Sequence, residues 1–335
     1  MAMSNRLFLI LSFILFLILT FVGLQTGSFD LGGETVISSL LSYDPDNTSH
    51  FVILHLRLPR LILAFLAGGS LALSGYLMQA MVNNPLADPY ILGTASGASL
   101  GASILYMLLP VSAFGIFYPS LAAFTGAIIV TLIAVAIGNS GGKIIPAKLL
   151  LAGIALSSLT VAIISFLIFF SSDESKLKTI IFWSMGSFEG ARWEYIPLLL
   201  TALFIAVMLF TFYSKHLTLL LLGESRAENM GLKVSSLRWY ILIAAALITG
   251  FSVATCGPIG FVGLMVPHFT RGLFGVNGKY NILNVTLLGG NFMLACDIFS
   301  RTIYPPAGVP IGIITAFLGI PFFVYLLSRN NVRFN

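Results

Sequence analysis

Charge is scarce in this chain. Its 335 residues carry 17 Lys+Arg and 12 Asp+Glu, or 9% charged residues, where a soluble domain carries about 25%. A water-soluble fold is therefore excluded. Cysteine is scarcer still: Cys256 and Cys296 are the two present, both in or beside apolar runs, so neither a disulfide framework nor a thiolate metal site is expected. The histidines His50, His55, His216 and His268 have no partner at i,i+4 and no HExxH setting, so no metal centre is expected either. Paired catalytic groups at bilayer depth are absent, which argues against an intramembrane enzyme. The stretch Gly138-Asn139-Ser140-Gly141-Gly142-Lys143 imitates a phosphate loop but lacks its spacing and its magnesium-binding hydroxyl. It reads as a cytoplasmic turn, and any ATP must bind another polypeptide.

What the chain has in quantity is hydrophobic length. Hydrophobic residues make up 58%, with 28 Phe and a mean hydropathy of +0.99. Uncharged runs cover 7–29, 61–87, 89–142, 149–172, 195–214, 239–270, 280–296 and 302–328. The longest splits at Pro110, Gly115 and Pro119 into helices near 91–109 and 119–137. The run from 239 splits at Gly257-Pro258, leaving a short segment at about 259–274, interrupted by Gly263 and Pro267, that needs shielding by its neighbours. The expectation is an all-α integral membrane protein of about ten transmembrane helices, a single transmembrane domain over 1–335. The first run, Leu7 to Leu24, is too long for a signal-peptide core and is read as helix one.

An even number of crossings puts both termini on one side. Placing them in the cytoplasm gives that side eleven basic and three acidic residues, and the other side six basic and nine acidic, as the positive-inside rule requires. The basic residues are spread over loops rather than gathered in a stripe, so nucleic-acid binding is not indicated.

Three features invite a functional reading. Helix three opens with Gly93-Thr94-Ala95-Ser96-Gly97-Ala98-Ser99-Leu100-Gly101, a small-residue face suited to close helix packing or, alternatively, to a pathway lined by Ser96 and Ser99. The cytoplasmic insert 214–239 contains Gly223, Glu224, Ser225, Arg226, Ala227, Glu228, Asn229, Met230 and Gly231. So short a helix is marginal alone, and its charged face suits a groove on a soluble partner; the alternative is a solvated connector. At the outer mouth, Arg57-Leu58-Pro59-Arg60 opens helix two, and Arg301 follows Asp297 by one helical turn. These arginines are candidates for docking an acidic partner, against the alternative of anchors beside lipid headgroups.

From Arg57 onward these motifs resemble the FecCD-type permeases, membrane subunits of type II ABC importers for iron-siderophores, haem, cobalamin or molybdate. The resemblance is carried by Arg57-Leu58-Pro59-Arg60, by Gly75 and Gln79 before Asn84-Pro85-Leu86-Ala87-Asp88-Pro89, by Trp183-Ser184-Met185-Gly186-Ser187-Phe188, and by the Gly223-Glu224 insert. It continues through Gly257-Pro258-Ile259-Gly260-Phe261-Val262-Gly263, Pro267-His268, Asp297, Arg301, Pro310-Ile311-Gly312 and Gly319-Ile320-Pro321. It implies a homodimer or a pair of paralogous permeases, two cytoplasmic ATP-binding subunits that hold ATP and Mg, and a periplasmic or lipid-anchored substrate-binding protein, in a bacterial or archaeal inner membrane. No cofactor or metal is implied in this chain. Arg57, Arg60 and Arg301 match docking positions, Gly223 to Gly231 matches the coupling helix, and Gln79 and Asn84 join Ser96 and Ser99 as candidate pathway residues. Two positions depart from the pattern: Asn83 stands where many relatives carry Arg, and Gly308 where they carry Glu. The expected function is import of a metal chelate, ferric siderophore or haem first. The rival is a self-sufficient secondary transporter, which calls for intramembrane acids; Asp297 is the one acid in an expected span.

Overall fold

The computed structural model describes residues 5–109, 117–221, 223–276 and 280–328. The helix-splitting residues Pro110 and Gly115, and the basic residues Lys279, Arg329 and Arg333 of the charge argument, lie outside them. Fifteen helices follow in chain order among the described residues: α1 (Asn5–Gln25), α2 (Gly33–Leu41), α3 (Thr48–Phe51), α4 (Leu58–Val82), α5 (Thr94–Leu108), α6 (Tyr118–Gly138), α7 (Pro146–Phe169), α8 (Glu174–Ser184), α9 (Ile196–Phe212), α10 (Ser214–Leu221), α11 (Glu224–Asn229), α12 (Val234–Cys256), α13 (Val262–Phe274), α14 (Asn281–Ile303) and α15 (Ile311–Ser328). A two-residue hairpin, β1 (Asn139–Ser140) with β2 (Lys143–Ile144), closes the α6–α7 turn, in the stretch read as a cytoplasmic turn.

Seven spans are long and apolar enough to cross a bilayer, on α1, α3–α4, α6, α7, α9, α12 and α14, and α5 and α15 are shorter apolar helices. With α13, the short interrupted segment, they make ten passes. Burial separates hub from rim: 89% of the α4 window is buried inside the protein but only 17% of the α7 window, so α4 is the central post and α7 lies at the periphery of the chain. Helix α4 packs on α14, α12 and α13. A Cβ on Gly75 would overlap the Gly263 backbone, a closeness that draws helices together by van der Waals contact where lipid supplies no hydrophobic drive.

Proline shapes the entry to α4. A π-helical turn, Val52–Arg57, precedes it, with the Leu58 N–H reaching back to the Ile53 carbonyl. In that register the next donor would bond Leu54 O, but Pro59 has no N–H. The Trp193 indole N–H fills the vacancy, donating to Leu54 O at 2.9 Å. Three elements were not foreseen: the outer helices α2 and α8, and α10 inside the cytoplasmic insert. α2 and α8 contain or border charged residues, and α10 lies where the apolar pattern of the spans has ended.

Candidate functional site

At the outer mouth, α1 ends without a basic residue in its last turn, leaving carbonyl groups and the negative end of the helix dipole uncompensated. Two arginines from other helices supply the charge. Arg57 donates through Nη1 to Leu24 O at 2.8 Å and Gln25 O at 2.7 Å, and through Nη2 to Phe29 O at 2.6 Å, with its guanidinium over the Phe29 ring. Arg301 donates to Gly23 O at 3.3 Å and Thr26 O at 3.2 Å. Asp297, fully buried, pairs with Arg301 at 3.1 Å one turn away and with Arg60 at 2.9 Å from α4. Two of the three candidate docking arginines, Arg60 and Arg301, thus share one carboxylate, while Arg57 is bonded to backbone carbonyls at the end of α1 and just beyond it. Arg57 and Arg301 are 5% and 8% exposed and turned inward, whereas the Arg60 side chain is 17% exposed. The carbonyls at and just past the end of α1 thus hold two of the three arginines expected to dock a partner.

Deeper in, nonhelical backbone from three places meets. The Ser187 N–H donates to Cys256 O at 2.8 Å, Ile311 N–H to Gly186 O at 3.2 Å and Gly312 N–H to Met185 O at 3.1 Å. The Tyr90 hydroxyl both donates to Ile259 O and accepts from Ile259 N–H, each at 2.9 Å. Phe261 opens α13 with φ +69, a strained left-handed conformation for a bulky residue. Broken helices at membrane depth persist where their backbone is bonded by protein or lines a cavity, and both conditions hold. A cavity of about 530 Å³ is lined by Met185, Pro258, Phe261, Gly312 and Phe317. A second, of about 900 Å³, lies on the outer side between Trp183, Glu189, Arg192, Tyr195, Cys256 and Gly308.

The candidate pathway residues do not gather at these cavities. Gln79 is fully buried and bonded to Gly263 O at 3.2 Å and to Arg271, holding α4 against α13. Asn84 is exposed, its Oδ1 accepting from Leu86 N–H at 2.9 Å in a cytoplasmic turn. Ser96 bonds Ser157 of α7 at 3.1 Å, and Ser99 is half-buried on α5. The small face of α5 packs on α6, where Gly97 and Gly101 lie against the carbonyls of Gly126 and Ala122. Packing, the first of its two readings, is what that face does here. Asn83 terminates α4 at φ +52, a conformation asparagine tolerates, and Gly308 sits at φ +69 on the outer cavity wall. The residues that do line the junction, Met185, Pro258, Phe261 and Gly312, stand in the motif stretches, but no polarity marked them as pathway.

On the cytoplasmic face α11 forms between Gly223 and Gly231, at φ +106 and +84. Ala227 is buried, while Ser225, Arg226, Glu228, Asn229 and Met230 are exposed. Nearby, Asp88 caps the 3₁₀ turn Pro89–Leu92 by accepting from Tyr90 N–H at 2.7 Å. Burial nonetheless pushes its carboxyl up to about 6.

Residues 15–329 match the FecCD transport family. The chain belongs to that family. It is 36% identical over 294 residues to the cobalamin import system permease protein BtuC of Halobacterium salinarum, covering 88% of this chain and 78% of that one. It is also 36% identical over 311 residues to the iron(3+)-hydroxamate import system permease protein FhuB of Bacillus subtilis, covering 92% and 79%. Among solved structures, an inward-facing ABC transporter of metal-chelate type matches with a TM-score of 0.83 at 29% identity, covering 97% of this chain and all of that one. This FecCD-family chain is accordingly a multi-pass membrane subunit, and the all-α, roughly ten-pass expectation agrees with it.

Proposed function

We propose that this chain is the permease of an ATP-driven importer, working as a dimer with itself or a paralogue in a bacterial or archaeal cytoplasmic membrane. Two ATP-binding subunits dock on α11 and hydrolyse ATP with Mg, and a substrate-binding protein delivers cargo to the outer mouth. The observation that most supports the reading is the family match over nearly the whole chain, ending beyond α15. The exposed charged face and Met230 of α11 offer a soluble partner both ion pairs and an apolar contact. On the outer side Arg60 reaches toward solvent, with Arg57 and Arg301 behind it, three cations against the carboxylates of Asp297 and Asp30. That surplus favours an acidic partner.

The cargo we assign is a metal chelate, ferric siderophore or haem before cobalamin or molybdate. An outer cavity of about 900 Å³ is at the upper end of small-molecule sites, roughly 300–1,000 Å³, and so suits a chelate better than a small oxyanion. Equal identity to permeases named for cobalamin and for ferric hydroxamate leaves the choice within that class to transport assays. The secondary-transporter reading loses its main candidate, because Asp297 is already held by Arg60 and Arg301. The test is purification of the tagged chain from its native membrane in mild detergent, with mass spectrometry and an ATPase assay on what elutes. Stoichiometric recovery of an active ATPase is expected. A chain that elutes alone, and stays inactive when reconstituted with candidate ATPases, would transfer the assignment to a secondary transporter.

A further inference from the structure

Helix α12 touches both the cytoplasmic insert and the junction of broken helices. At its first turns Arg238, 7% exposed, donates through Nη1 and Nη2 to the two carboxylate oxygens of Glu224, both at 2.9 Å. The same Nη1 donates to Ile144 O of the β1–β2 hairpin at 3.3 Å, and Ser235 donates to Gly142 O of that hairpin at 3.2 Å. At its far end the Cys256 carbonyl accepts the Ser187 N–H, and midway Thr249 donates to Ser74 of α4 at 2.7 Å. A parallel, two-point contact between guanidinium and carboxylate fixes orientation as well as distance.

The backbone does not fix α11 in the same way. Seven residues stand between Gly223 and Gly231, both in left-handed conformations at which glycine turns without steric penalty. A push on α11 can be absorbed by rotation at its two ends unless side chains carry it across: the buried Ala227 seats α11 on the core without directional bonds, whereas Glu224 ties it to α12 in a fixed orientation. We propose that the Glu224–Arg238 pair is the joint that delivers movement of α11 to α12, and through Arg238 to the α6–α7 hairpin. The proposal rests on the reading of α11 as the ATPase contact, and makes Glu224 and Arg238 positioning residues of transport. Glu224, its side chain 48% exposed, acts through Arg238.

The test uses the purified permease–ATPase complex in nanodiscs, with ATP, Mg and vanadate as the trapping probe. Spin labels at Ser225→Cys on α11, or at Ile243→Cys on the exposed face of α12, report distances between the two copies of the chain. In the otherwise unchanged complex, trapping is expected to shift both distances. In Glu224→Gln the α11 shift is expected to persist, the α12 shift to be lost, and the KM for ATP to stay unchanged while hydrolysis no longer responds to permease conformation. Glu224→Asp, which keeps the charge, is expected to recover part of the α12 shift, and it stands in if the Gln variant fails to retain its ATPase. An α12 shift of full size in an assembled Glu224→Gln complex, or in its absence no difference between Glu224→Asp and the parent, would overturn the joint. Failure of the parent complex to hold an ATPase, or to move at position 225, would instead overturn the importer reading on which the joint rests.

Discussion

The two ends of the molecule use arginine differently. At the outer mouth Arg60 and Arg301 share one fully buried carboxylate, and Arg301 and the neighbouring Arg57 donate to the carbonyls at the end of α1. At the cytoplasmic face one arginine meets one carboxylate in a two-point contact, with the carboxylate about half exposed. The outer cluster holds helices together, because removing any member leaves charge or carbonyl groups without partners in a region of low dielectric. The inner pair joins a small movable element to a long helix and can be opened without stranding Glu224 away from water. On the proposed joint, charge is structural at the mouth and mechanical at the base.

The largest test of that contrast is Asp297→Asn. It leaves Arg60 and Arg301 facing each other unneutralised, and breaking a buried pair in this way costs about 3–5 kcal/mol. Thermal unfolding of the purified complex should show a large fall in Tm; an unchanged Tm would mean that the cluster does not hold the mouth together. Arg57→Ala comes next, since it strips two α1 carbonyls and Phe29 O of their donor, and a buried carbonyl left unpaired costs roughly 1–3 kcal/mol. Hydrogen exchange should accelerate over residues 23–31 while the α11–α12 region keeps its protection. Uniform acceleration would show that the two ends are not independent.

Much of this architecture is legible in the sequence because the bilayer enforces it: a charged residue is expensive in a span, so uncharged runs mark the helices. The break at Gly257-Pro258 and the short α13 follow from the same reading. The direction of a side chain does not. Nothing in the spacing of Arg57 and Arg301 says that they cap α1, because the carbonyls they satisfy belong to a helix over 30 residues away from Arg57 and over 270 from Arg301. The Glu224–Arg238 pair likewise spans 14 residues, a spacing that becomes a contact only once α12 folds back past α11. Gln79 enters the candidate pathway residues through the resemblance, and its partners do not show in the sequence. It is polar because the close approach of α4 and α13 leaves the Gly263 carbonyl in reach of a donor.

Arg60→Ala sharpens the contrast from the other side. Its side chain is the most exposed of the three, and Asp297 keeps Arg301 when it is lost, so the stability change should be smaller than that of Arg57→Ala. Capture of the substrate-binding protein should nevertheless fall while the ATPase stays bound. Equal capture by variant and parent, measured by co-purification, would remove Arg60 from the docking surface and leave the arginine cluster with a purely structural role.

The smallest effect belongs to Ser235→Ala. Its hydroxyl bonds Gly142 O on the exposed edge of the same hairpin that Arg238 grips, and exposed substitutions of this kind usually change stability by no more than about 0.5 kcal/mol. Both side chains tie α12 to the α6–α7 hairpin, but only Arg238 also holds α11. If the hairpin link were what couples the cytoplasmic face to the spans, Ser235→Ala would weaken the response of ATP hydrolysis to transport as Glu224→Gln is expected to. If the joint lies at α11, hydrolysis and transport should remain coupled in Ser235→Ala at the parent ratio. The two variants, assayed side by side in proteoliposomes, separate a contact that steadies a loop from one that transmits movement.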